Sequence, residues 1–335
     1  MFKFETSHGQ IVPIVSTSGA HLWHFACLTH SEQMTTVASI EKNTNAAGAI
    51  HVGLASAEGG SFELKKLIEG GLRKALDREE FLLHYQPKVD LHTGKIAGAE
   101  ALIRWQHHDG ELMSPSAFIH VAEDSDLIVE IGRWVLYEAC RQAREWQDAG
   151  LPFFLISVNV SAAEFRAKGF VAGVRNSLAV THLDARYLDI EITERTLVDN
   201  NEAVVSTLRE LKLMGIHLEV DDFGTGYSSL SYLQDFPVDV LKIDQSFVRR
   251  ITGDVHESPI VRAIVDMCRN LNVRVIAEGI ETSQQLAVLQ SERCAEGQGY
   301  FLGRPTDAAQ FAHLLQVGID HSVLQYGQYD LPTPA

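Results

Sequence analysis

The chain has 335 residues, 45% of them hydrophobic, with 44 acidic against 28 basic side chains and a net charge of -16. That length holds one large α/β domain with a small appendage, and the charge argues against binding a nucleic-acid polymer or an anionic membrane surface. No apolar run reaches the roughly 18 residues that a membrane span needs. The opening Met1-Phe2-Lys3-Phe4-Glu5 lacks a basic region ahead of an apolar block, and Cys27, Cys140, Cys268 and Cys294 are scattered without paired spacing. Reduced thiols and a cytoplasmic location are therefore expected.

Residues 1–60 read as a small β-rich extension. Short apolar or β-branched runs at 10–16, 21–28, 35–40 and 49–54 are separated by Gly, Ser, Asn and Thr, as in an antiparallel meander. Residues 57–61 (Ala-Glu-Gly-Gly-Ser) read as a linker. From residue 62 to 78 apolar positions recur at helical spacing, and after that strand-like and helix-like segments alternate. Strands are expected at 81–89, 96–105, 153–160, 188–192, 216–220, 238–243 and 273–277. Helices are expected at 127–149, 202–214, 258–271, 283–289 and 306–315, two of them ending at Gly150 and Gly215. Roughly eight alternations over about 250 residues fit a (β/α)8 TIM-like barrel at 61–320 better than an open doubly wound sheet. The tail, 321–335, reads as irregular.

Polar residues interrupt these apolar strands in a consistent place. Glu100, Asn159, Glu191, the pair Asp221-Asp222, Lys242 and Glu278 each sit in or at the end of a strand-like run. Burying so many charges singly costs several kcal/mol each, so they must share partners. In a barrel the carboxyl ends of the strands converge on one face, where catalytic groups collect. A set of oxygen donors without His or Cys prefers Mg²⁺ or Mn²⁺, with Ca²⁺ as a competitor. Taken one at a time, each residue also fits an ion pair, an Asx-turn or a strand-end cap. Adjacent carboxylates in a regular strand point to opposite faces. Asp221 and Asp222 serve one site only if the backbone leaves regular geometry at Asp222.

With these residues in view, the chain from about 62 to 316 resembles the EAL-domain cyclic-di-GMP phosphodiesterases. The matching pieces are Tyr85-Gln86-Pro87, Glu100-Ala101-Leu102-Ile103-Arg104-Trp105, Ser157-Val158-Asn159-Val160-Ser161, Glu191-Ile192-Thr193-Glu194 and the run from Asp221 to Leu230. Leu241-Lys242-Ile243-Asp244, Ala277-Glu278-Gly279-Ile280-Glu281, Gln298-Gly299-Tyr300 and Gly303-Arg304-Pro305 complete the series. The resemblance implies an EAL-type barrel that hydrolyses cyclic di-GMP to linear pGpG with two Mg²⁺ or Mn²⁺ ions, Ca²⁺ being inhibitory. It implies Glu100, Asn159, Glu191 and Asp221 as ligands of one ion, with Asp221, Asp222 and Glu278 at the second. Catalytic roles fall to Lys242, Glu278 and Glu100, substrate contacts to Gln86, Leu102, Arg104 and Gln298, and bracing of the loop after Asp222 to Glu194. A homodimer through elements flanking that loop is also implied. Where many members carry an acid before the final Gln-Gly-Tyr, this chain has Ala295. The alternative is a non-catalytic EAL receptor that binds cyclic di-GMP or a protein. No GGDEF signature is present, so cyclase activity is not expected.

Overall fold

A computed structural model of the chain describes strands within residues 5–53 (5–6, 9–16, 22–28, 34–41 and 52–53). It further describes 57–319 apart from 109, 199–201, 225–235 and 252–257. Most of the loop after Asp222 and the tail at 321–335 therefore lie outside the described residues. The chain divides into two compact units, residues 1–81 with 105–127, and residues 82–104 with 128–335.

In the first unit, β1 (Glu5–Thr6), β2 (Gly9–Ser16), β3 (Leu22–Leu28), β4 (Met34–Glu41) and β5 (Val52–Gly53) form one sheet in sequential order, antiparallel throughout. This is the meander expected from the alternation of β-branched runs and turn residues. The linker reading of 57–61 is corrected: a helix covers Ala57–Asp77. Gly59 and Gly60 are poor helix formers, but propagation from the amphipathic turns that follow costs less than starting a new helix. In the same unit, Trp105 lies against Phe81 and Phe118 and donates its indole N–H to Glu80 at 3.0 Å.

The second unit is built on a closed barrel. Its strands are β6 (Phe81–Asp90), β7 (Ile96–Gln106), β9 (Leu155–Val160), β10 (Leu188–Thr193), β11 (His217–Phe223), β12 (Val240–Ile243), β13 (Arg274–Ala277) and β14 (Glu296–Gly297), while β8 (Leu112–Met113) pairs with the end of β7. Around the barrel the order is β6-β14-β13-β12-β11-β10-β9-β7, closed by pairing of β6 with β7. Neighbours from β7 through β14 are parallel, whereas β14 pairs with β6 antiparallel. The first strand thus runs against the other seven.

Two features were not expected from sequence. The helix Phe170–Thr181, which carries the chain from β9 to β10, has a mixed pattern without a clean apolar stripe. The last strand, β14, is only two residues long and has no run of its own. The barrel wall is packed by outward-facing apolar side chains such as Val158, Ile190, Val220, Leu241 and Val275, all buried. On β6, Tyr85 points into an aromatic cluster, its ring 4.7 Å from Trp146 and 6.0 Å from Phe311. Period-two alternation then turns Gln86 and Lys88 to the barrel interior.

Candidate active site

Every polar residue picked out on the strands comes to one end of this barrel. β9, β10 and β11 are in parallel register, with Glu191 beside Asn159 on one side and Glu219 on the other. Lys242, on β12, is almost completely buried and is the hub. Its Nζ lies 2.6 Å from Glu278, 2.8 Å from Glu191, 3.3 Å from Asp221 and 3.9 Å from Glu100. Burial alone disfavours the ammonium form, but the surrounding carboxylates overrule it and hold the Lys242 pKa well above the ordinary lysine range.

The backbone leaves regular geometry where the paired aspartates require it. Asp222 has φ +57°, and the pairing of β11 with β12 shifts register between Val220 and Phe223. A bulge of this kind re-aims a side chain. As a result Asp221, Asp222 and Glu278 each bring an oxygen to within 4.8 Å of the others. Burial pushes the Glu278 carboxyl up to about 8 even with Lys242 beside it, because Asp221 and Glu100 add like charge. A carboxyl raised in this way has to give up its proton to ligate a cation, which couples cation binding at this corner to pH.

Glu100 is held through both oxygens. Asn159 donates its side-chain N–H to one at 2.6 Å, and Gln298 donates to the other at 2.6 Å. That orientation turns the Asn159 Nδ2 to Glu100 and leaves Oδ1 as the acceptor atom of its amide. Gln298 also donates to Gln86 at 2.9 Å, and Gln86 in turn donates to the Gly303 carbonyl. Gln298 is buried and its path is set by Gly299, where a Cβ would sit 2.2 Å from the Ile280 backbone. Ala295 does not disturb this corner, since its carbonyl accepts from the Leu91 N–H at 3.0 Å. Leu102 and Arg104 are half-buried on β7. Arg104 donates to the Ile103 carbonyl at 2.8 Å.

Glu194 is buried at the start of the short helix Glu194–Val198 and accepts the Gly224 N–H at 3.0 Å. That contact ties the first residue beyond β11 to the end of β10. The remainder of the loop lies outside the described residues.

A deeper polar layer was not picked out from sequence. Lys88 is buried and donates to Ser157 at 2.7 Å, Glu191 at 2.6 Å and Glu219 at 2.6 Å. Ser157, Asp189 and Glu219 each precede an expected site residue by two positions, so they share its face one layer down. That spacing was the available signal. Burial works to raise the Glu191 pKa, but Lys242 and Lys88 outweigh it and hold the carboxyl at about 2. For Glu219 burial is the larger effect: Lys88 and, more weakly, Lys242 oppose it, Glu191 and Asp189 add to it, and its pKa is driven well up.

The donor set tests well against a divalent cation. Two buried lysines, Lys88 and Lys242, face Glu100, Asp189, Glu191, Glu219, Asp221 and Glu278, and the exposed Asp222 stands beside the last two. Carboxylates outnumber cations, the ligand atoms are all oxygen, and Asp221, Asp222 and Glu278 converge from two strand ends. Such a set fits Mg²⁺ or Mn²⁺. Among the described residues, no helix is long and apolar enough to cross a membrane.

Comparison with known proteins agrees with this geometry. The family described as "EAL domain" matches residues 69–305. The chain is 45% identical over 239 residues to the bifunctional diguanylate cyclase/cyclic di-GMP phosphodiesterase MucR of Pseudomonas aeruginosa, covering 71% of this chain and 35% of that protein. It is 38% identical over 248 residues to the cyclic di-GMP phosphodiesterase PdeR of Escherichia coli, covering 73% and 37%. The chain thus spans little more than a third of these relatives. Among solved structures, the PaMucR phosphodiesterase in complex with c-di-GMP superposes with a TM-score of 0.70 at 44% identity, covering 73% of this chain and 99% of that one. The EAL enzyme Bd1971, with cAMP and cyclic di-GMP bound, gives 0.72 at 32% identity, covering 77% and 70%.

Proposed function

This chain belongs to the EAL domain family, and on that premise we propose that it hydrolyses one phosphodiester of cyclic di-GMP to give linear pGpG. The observation that carries the reading is the hub at Lys242, where four carboxylates converge on one buried ammonium beside the Asp221, Asp222 and Glu278 triangle. A receptor that only bound the dinucleotide would have no use for carboxylates crowded against one another at a cost of several kcal/mol.

In this reading Glu100, Asn159, Glu191 and Asp221 hold one divalent ion, and Asp221, Asp222 and Glu278 hold a second. Mg²⁺ or Mn²⁺ bound there supplies Lewis acidity toward a water and toward the phosphodiester oxygens. The chain's own residues do the rest. Lys242 balances the carboxylates and offers an N–H donor at the mouth, where it orients the attacking water. Asn159 and Gln298 fix Glu100, so its oxygens cannot rotate away. Gln86 and Gln298 present amides to the substrate, Leu102 an apolar contact, and Arg104 a forked donor suited to a phosphate or a guanine edge. Glu194 keeps the start of the loop after Asp222 in register with β10.

In this reading the catalytic unit is residues 61–320, with 1–60 a small β-rich extension to which no role is assigned and 321–335 a tail. A homodimer and a cytoplasmic setting, where a nucleotide messenger would be met, belong to the same reading. Turnover is the test. The chain with Mg²⁺ or Mn²⁺ should convert cyclic di-GMP to pGpG, and Glu100→Ala should lose at least about 10²-fold of that rate. Tight binding without pGpG in the wild-type chain would replace the enzyme by a receptor.

A further inference from the structure

The lysine beneath the mouth has a geometry that bears on which cation the mouth accepts. Glu191 is gripped at both oxygens: Oε1 takes an N–H from Lys88 at 2.6 Å and Oε2 one from Lys242 at 2.8 Å. Lys88 reaches Oε1 from below because β6 runs against its neighbours. Gln86 stands at the mouth beside Gln298, and two residues further along the strand Lys88 is one layer deeper on the same face. Its other partners, Ser157 and Glu219, belong to β9 and β11. The ammonium is thus tied to three adjacent strands and is 2% exposed.

We propose that Lys88 is a positioning residue that restricts Glu191 to one oxygen, Oε2, as a cation ligand, and so biases the site toward Mg²⁺ and Mn²⁺ over Ca²⁺. The inference rests on the metal-dependent reading above. Mg²⁺ demands near-octahedral geometry from few, singly bound carboxylates, whereas Ca²⁺ takes six to eight oxygens and readily uses a carboxylate through both. Lys88 draws Oε1 into the deeper layer of Ser157 and Glu219, whereas Oε2 lies beside Lys242 on the side of Glu100, Asp221 and Glu278, so a carboxylate held this way turns one oxygen to the mouth and keeps from it the second that a larger ion uses. Glu219 keeps the ammonium deep: it receives an N–H at 2.6 Å in a register beside Glu191.

Isothermal titration of the metal-free chain with MgCl₂, MnCl₂ and CaCl₂ separates the possibilities. The wild-type chain should bind Mg²⁺ and Mn²⁺ in preference to Ca²⁺. Lys88→Met should lower the ratio of Mg²⁺ to Ca²⁺ affinity at least tenfold, because Glu191 can then rotate and bind through both oxygens. Glu219→Gln, which leaves the Lys88–Glu191 contact, should keep the wild-type ratio. Because Lys88→Met strands the Glu219 carboxylate, the pair Lys88→Met/Glu219→Gln serves where the single variant fails to fold, and it should show the same loss of ratio. A purely structural lysine would change all three affinities by one factor, and that result in the folded variant overturns the inference alone. A wild-type chain that binds none of the three cations overturns the metal reading and this inference with it.

Discussion

Lys242→Met keeps an aliphatic stem and deletes the ammonium that touches Glu100, Glu191, Asp221 and Glu278. Removing one partner of a buried charge pair costs about 3–5 kcal/mol. Glu191, whose side chain is 0% exposed, loses one of its two ammoniums and keeps Lys88 on Oε1, while Asp221 and Glu278, 16% and 19% exposed, recover some hydration. Glu278 also relieves the repulsion by keeping its proton near neutral pH. The expected loss for the metal-free chain is therefore at the lower end, about 3 kcal/mol. Divalent cations act in the opposite direction. With the ammonium gone the mouth repels them less, so the variant should bind Mg²⁺ at least as tightly as wild type. Binding at a hundredfold excess over Kd returns about 2.7 kcal/mol to either chain. Turnover should nonetheless fall by about 10²-fold or more, since the donor at the mouth is missing. Urea unfolding in EDTA and in saturating Mg²⁺, with steady-state hydrolysis of cyclic di-GMP, reads all three quantities. A variant as stable as wild type in EDTA would refute the hub, and wild-type turnover at saturating Mg²⁺ would refute the role of Lys242 in the chemistry.

Glu194→Ala removes the acceptor for the Gly224 N–H. A charge-assisted bond of this kind is worth about 1.5–3 kcal/mol, so Mg²⁺ affinity should drop about 10–100-fold in activity-versus-metal titrations; unchanged affinity and rate would show that the loop needs no such brace. Asp222→Gly deletes a carboxylate but tolerates φ +57°. Its urea midpoint should barely move while metal-dependent turnover collapses, and a large stability loss would mean that the Asp222 side chain holds the bulge. Glu278, pushed up to about 8 by burial, must lose its proton to ligate. Metal affinity should accordingly rise with pH up to about 8 and level off above it, with close to one proton released at pH 7. Calorimetry in buffers of differing ionisation enthalpy counts that proton, and a pH-independent affinity between 6 and 8 would contradict the assignment.

Much of this site was readable because charge in an apolar strand is costly. Glu100, Glu191, Lys242 and Glu278 stand out against Val, Ile, Leu and Ala neighbours, and the requirement that Asp222 leave strand geometry was a steric deduction that the left-handed φ bears out. Lys88, Asp189 and Glu219 were passed over although they obey the same rule. They point at no solvent, and a search for ligands favours strand ends over strand middles. The direction of β6 was also hidden, since periodicity records which face a side chain takes and not which way the strand runs. β14 escaped because two residues carry no period at all, and its existence follows from the flanking hydrogen bonds of Leu91, Gln298 and Ile280. The glycines at 59 and 60 misled in the other direction, since local propensity was outvoted by the helix that follows.

That short strand has a consequence for motion. β14 closes the ring with two residues in register on β13 and two on β6, so the seam is the place where the barrel has least backbone to break before it opens. Gln298 is the next residue along, and it grips both Gln86 and Glu100. A fluctuation that parts the seam thus loosens an amide at the mouth, and the most easily opened edge of the wall adjoins the corner where the dinucleotide is proposed to enter.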